Sequence, residues 1–124
     1  MEFTTWYEKM IKAYADDADA LDLIQKSAVA MADYVREVCF FETKMSVLSN
    51  TKQYSGEELR SEKEQIDQSR HDAHESAISG VKLLNRLAET KGLDPAFCGD
   101  ITNRYEIADF CEKCTAEIFE KRIR

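Results

Sequence analysis

Between Arg70 and Leu87 the chain reads RHDAHESAISGVKLLNRL, and Arg70, His71, His74 and Asn85 within it carry groups able to do chemistry. A guanidinium grips planar anions through paired donors. An imidazole ligates metals or exchanges protons near neutral pH, and a carboxamide donates and accepts hydrogen bonds at once. At about 100° per residue, Ile66, Ala73, Ala77, Val81, Leu84 and Ala88 share one helical face, with Arg70, His74 and Asn85 on it or at its margin. Burying such a group without a hydrogen bond costs roughly 1–3 kcal/mol. Each therefore calls for a partner, supplied by another helix or by a ligand.

His71 and His74, with Asp67, Asp72 and Glu75 nearby, are of the types that bind transition metals. His71 sits about 60° further round the helix toward solvent than His74, so both reach one ion only at an edge between helices. Bundle metal sites draw ligands from at least two facing helices, and the inward acid found elsewhere, Glu42, falls about two or three turns from His74. The expectation is a solvated His71, a hydrogen-bonded interior His74 and no metal. Cys111-Glu-Lys-Cys114 invites a redox or zinc reading. Mid-helix, however, Cys111 lacks the helix N-terminus that activates a thiol, and the pair lacks the turn that lets both sulfurs reach one metal. Cys111 reads as a small core residue, with Cys114 at its margin.

Arg104 falls in the apolar stripe of the last helix, where its guanidinium needs an acceptor: Asp100 one turn earlier, or a bound anion. If the chain turns back near Pro95, Asn85 and Arg86 lie level with Arg104 and Tyr105, and Trp6, Tyr7 and Tyr14 approach the same end. An Asn85–Arg104–Asp100 network joining helix ends is the expected arrangement. Glu42 and Arg70 should form a second polar network, paired directly or across a dimer axis, that specifies packing. Roughly 22 Å of helix separates Arg70 from Asn85, so the two networks cannot share one small ligand.

Arg70-x-x-x-His74, Leu84-Asn85-Arg86-Leu87 and Asp100-x-x-x-Arg104 resemble a family of small helical bacterial proteins, chiefly from Firmicutes, known as a domain of unknown function. The resemblance spans the C-terminal half. It implies a bacterial cytosolic protein, links Arg70, His74, Asn85 and Arg104 as a set, and brings no activity with it.

The elements that position these residues are helices. One Pro and four Gly among 124 residues leave few turns, and the apolar periodicity is helical throughout. The spacing predicts an all-α antiparallel four-helix bundle in a single domain, 1–124, with helices over about 4–14, 17–49, 56–91 and 100–122. Asp16-Asp17 breaks the chain and caps the second helix, Ser55 with Glu58 forms a capping box, Gly92 ends the third helix, and Asp94-Pro95 can restart the chain. The expected stripes are Trp6, Tyr7, Met10, Ile11 and Tyr14 in the first helix and Leu21, Ile24, Ala28, Met31, Val35, Val38, Cys39 and Met45 in the second. The fourth carries Ile101, Tyr105, Ala108, Cys111, Thr115, Ile118 and Phe119.

The second and third helices would each span roughly 45–55 Å, against about 17 Å for the first and about 35 Å for the fourth. Their tip should project and need cover. The second helix is also apolar on further sides, through Val29, Phe40 and Val47 and through Phe41 and Leu48. A homodimer in which Phe40, Phe41, Val47 and Leu48 pack across a two-fold axis is the expectation.

A chain 44% hydrophobic and 33% charged can bury its own core. With a net charge of −7, and no cluster of Lys or Arg standing apart from acidic neighbours except Lys121–Arg124, it does not suit a phosphate backbone. No basic leader or long apolar run appears, and four cysteines in a helical chain read as reduced thiols. A cytoplasmic protein with no nucleic acid, membrane or cofactor is expected. Without a nucleophile–base pair or phosphate-binding glycine loop, the leading function is an interaction, scaffolding or regulatory protein with an unidentified protein partner. Behind it stand an anion-binding bundle using Arg104, Asn85, His74 and Asp100, and a metal-dependent enzyme using His71 and His74.

Overall fold

The computed structural model describes residues 2–50 and 56–123, apart from the side chains of Cys39, Glu42 and residues 119–123. Four helices follow one another: α1 (Phe3–Ala13), α2 (Ala18–Asn50), α3 (Gly56–Thr90) and α4 (Arg104–Ile123), with no strand among the described residues. The fold is an all-α bundle. Contacts between α2 and α3 join Phe41 to Arg70, Tyr34 to His74 and Ser27 to Gly80. Positions fall along α2 as they rise along α3, so the two run antiparallel.

Local chemistry sets most helix ends. The Asp17 carboxylate accepts from the Ala20 amide at 3.0 Å, capping α2 as an N-terminal Asx residue does. Gly92, at φ +67°, closes α3: the Leu93 amide donates to the Ala88 carbonyl and the Gly92 amide to that of Glu89, the paired bonds of a Schellman motif. The proposed Ser55 cap lies outside the described residues.

The fourth helix starts later than the expected residue 100. Asp100 accepts from both the amide and the hydroxyl of Thr102, at 2.9 and 2.7 Å, and that side-chain turn competes with helix. Asn103 then caps α4 by accepting from the Tyr105 and Glu106 amides. Asp94-Pro95 begins no helix; residues 91–103 form an irregular connection. The face that α4 buries differs in part from the expected one, although Cys111, Ala108 and Ile118 still pack on the core. Its buried line is Ile107, Cys111 and Cys114, whereas Tyr105, expected inside, is 81% exposed.

One apolar cluster joins all four helices, with Trp6, Met10, Ile24, Met31, Val81, Leu84, Ile107 and Cys111 fully enclosed. On α2 the buried line runs Ala20, Ile24, Ser27, Met31 and Tyr34, which makes Tyr34 and Ser27 core residues in place of the expected Ala28 and Val35. A Cβ on Gly80 would stand 3.2 Å from the Ser27 backbone, so α2 and α3 approach each other closely there. The buried residues of α3 are Ala77, Gly80, Val81, Leu84 and Ala88, all in its second half.

The terminal helices are tied down by polar bonds. Phe3 and Thr4 donate their amides to the Glu117 carboxylate at 3.0 and 2.7 Å, satisfying free donors at the start of α1. The Trp6 indole donates to the Asp94 carbonyl at 2.7 Å and the Tyr14 hydroxyl to the Leu87 carbonyl at 2.6 Å.

Candidate functional site

Asn85 lines a cleft between α3 and the connection that follows it. Its carboxamide oxygen accepts from the Ala96 and Phe97 amides at 2.9 and 3.2 Å, and its nitrogen donates to the Phe97 carbonyl at 2.8 Å. Three hydrogen bonds from one side chain pin the 91–103 connection against α3. Between them opens a cleft of ≈ 690 Å³, with Lys82, Arg86 and Glu89 of α3 on one side and Leu93, Pro95, Phe97 and Ile101 on the other.

Two glycines line it. At Gly99 a Cβ would meet the Phe97 ring at 2.7 Å, so a side chain there would have to displace that ring. Lys82 and Arg86, one turn apart on α3, have no ion pair with any described residue; the described ion pairs join other side chains.

The expected Asn85–Arg104–Asp100 network does not form. Arg104 is exposed on the first turn of α4 because the helix begins there, and Asp100 bonds Thr102 instead. The Thr102 hydrogen bonds hold the Asp100 carboxyl below its ordinary value. Nor does the proposed anion set Arg104, Asn85 and His74 converge. Arg104 and His74 are absent from the cleft lining, and His74 lies about 16 Å of helix away from Asn85.

His74 belongs to a second cluster, between α2 and α3. Its ring lies 5.2 Å from that of Tyr34, tilted by 45°. The expected hydrogen bond is missing: His74 Nε2 is buried without a partner among the described residues, as is Arg70 Nε. Burial chiefly lowers the pKa of His74, with His71 and Arg70 acting in the same direction and Glu75 against them. Burial thus favours its neutral imidazole. Burial likewise raises the Tyr34 phenol, with Cys111 and Glu112 adding and Arg70 opposing.

Arg70 donates to the Asp67 carboxylate at 2.7 Å and sets its guanidinium 4.7 Å from the centroid of the Phe41 ring. The Glu42 side chain, its expected partner, lies outside the described residues. His71 is exposed, and no three ligand-type side chains that could hold a metal ion come together among the described residues. Cys111 and Cys114 are thiols pushed up to about 12, mainly by burial. That suppresses the thiolate that redox or metal chemistry needs.

Of the four residues expected at a dimer contact, Phe40 and Val47 are 53% and 61% exposed. Phe41 lies under Arg70, and Leu48 is buried within the subunit. Val29 is also exposed. Two shallow grooves border this side of α2: one between Val29 and Ala73, the other, almost wholly apolar, between Phe40, Val47 and Ile66.

Three contributors were not anticipated. Tyr34 is in phase with Ile24 and Met31 and was recoverable from spacing alone. Lys82 has no acid within four residues on either side, an uncommon setting in an acidic chain. Glu117 caps α1 from more than a hundred residues away, and no local pattern announces it. No described helix is long and apolar enough to cross a membrane. Neither the curated proteins nor the solved structures contain a match to the chain. A family model, described as "Protein of unknown function (DUF3232)", matches residues 1–124, and the chain belongs to that family.

Proposed function

We propose that this protein is a homodimeric interaction module, scaffolding or regulatory in role, that self-associates through the exposed side of α2. The observation that carries this reading is a line of three large apolar residues, Val29, Phe40 and Val47, each more than half exposed. Val29 and Val47 are eighteen positions apart, about five whole turns, and Phe40 departs from their line by only about 20°. They form one straight stripe roughly 27 Å long.

The stripe is self-complementary about a two-fold axis at the level of position 38, whose own side chain packs on the core behind it. Two antiparallel copies of α2 in that register set each Val29 on the partner's Val47 and each Phe40 beside the partner's Arg36. Isologous pairing of this kind closes as a dimer without leaving a further sticky surface. The setting we propose is the reducing cytosol of a bacterium, where the free thiols of Cys98, Cys111 and Cys114 persist.

The test is crosslinking in a Cys98→Ser background. The double variant Val29→Cys/Val47→Cys should oxidise to a covalent dimer, and Val29→Cys alone should not, because only antiparallel pairing joins positions 29 and 47. Phe40→Glu should abolish the crosslink while helicity is retained. A monomeric mass of 14.3 kDa by light scattering at tens of micromolar would sink the proposal.

A further inference from the structure

The cleft pinned open by Asn85 lies away from the α2 stripe and has a chemistry of its own. Its α3 side presents Lys82 and Arg86, two like charges at i and i+4, an arrangement that weakens a helix unless something neutralises it. No described acid forms an ion pair with either. Glu89, one turn further on, lines the same cleft, so the three groups sum to one positive charge.

The facing side is apolar, built from Leu93, Phe97 and Ile101, and Asn85 spends its hydrogen bonds on holding that wall. A volume of ≈ 690 Å³ falls within the range of small-molecule sites, which combine mostly apolar lining with a few orienting polar groups. A ligand that satisfies both walls carries one negative charge at one end and hydrocarbon behind it.

We infer that this cleft binds a small amphipathic monoanion, a carboxylate with an acyl or aryl body, held by Lys82 and Arg86 at its head and by Leu93, Phe97 and Ile101 along its body. A compact dianion such as free phosphate fits less well, since it would leave the apolar wall uncovered and meet Glu89 as a second negative charge.

The chain contains only four glycines, and they make the test clean: Gly92 and Gly99 line the cleft, whereas Gly56 and Gly80 lie elsewhere on α3. Octanoate is titrated into the full-length protein at low ionic strength and followed by amide NMR, with octanamide as the uncharged counterpart. Octanoate should move the Gly92 and Gly99 signals, leave those of Gly56 and Gly80 in place, and bind more tightly than octanamide.

Arg86→Gln and Lys82→Gln should each weaken octanoate binding about fivefold, the upper end for a partly exposed charge pair. Glu89→Gln should strengthen it, a sign that general loosening of the fold would not produce. Unchanged melting temperatures of the variants confirm that they fold. Equal binding of octanamide, no shift at millimolar octanoate, or shifts along α2 that spare Gly92 and Gly99 would each overturn the inference.

Discussion

At the scale of the residue, the unmatched nitrogen of His74 makes a prediction about pH. The groups facing it are Tyr34 across the helix pair and Arg70, His71 and Glu75 on its own helix. Burial depresses its pKa in the folded chain, so as pH falls the unfolded chain, with an ordinary histidine value near about 6.5, binds the proton first. The contribution of His74 to stability is therefore complete above that value, and is lost as pH falls from it toward the depressed folded value. Urea midpoints at pH 7.5 and 5.5 should differ more in the natural protein than in His74→Gln, and equal differences would refute the assignment. The presence of a polar residue on the stripe was readable from the heptad and turn spacing of α3. Its lack of a hydrogen bond was not, because that depends on Tyr34, forty positions away in sequence. Asn85 was likewise legible as a buried amide in need of partners, but its bonds go to the backbone of residues 96 and 97 rather than to the expected side chain of Arg104.

At the scale of the element, helix ends written in local chemistry were legible and helix register was not. Asp17 and Gly92 act within a few residues of themselves, so their types alone disclose their roles. The start of α4 is decided by a contest between an Asp100–Thr102 turn and helix propagation, and beginning four residues late leaves Arg104 exposed on the first turn, while Ile107 and Cys114 join Cys111 in the buried line. The close crossing of α2 and α3 at Ser27 and Gly80 makes a further prediction. A valine at position 80 would press its branched side chain onto the Ser27 backbone, which cannot rotate away as a side chain can. Gly80→Val should cost roughly 1–3 kcal/mol in urea unfolding, with the same helical content at low denaturant. A neutral result would mean that the helices separate freely there.

At the scale of the whole molecule, the long α2–α3 pair is buried unevenly. The enclosed residues of α3 all lie from Ala77 onward, and the exposed apolar line of α2 reaches Val47. Helices of about 50 Å beside one of about 16 Å leave much of the long pair without cover from α1. What the sequence could not disclose is which apolar residues the subunit keeps for itself, since Leu48 and Phe41 differ from Val47 and Phe40 only by about 100° of helical rotation. If two copies share the exposed line of α2, folding and association are linked and mass action stabilises the dimer. The thermal midpoint should then rise with protein concentration in the natural chain and become independent of it in Phe40→Glu. A midpoint insensitive to concentration in both would count against association.

The chain has a single tryptophan, and its indole is bonded to the carbonyl of Asp94, in the same connection that walls the cleft. Excitation at the long-wavelength edge, beyond the absorption of the five tyrosines, therefore reports on that one seam of the bundle. A red shift of emission that precedes loss of ellipticity would mark α1 lifting from residue 94 while the long helices remain paired, so the protein carries an intrinsic optical gauge of whether its cleft is assembled.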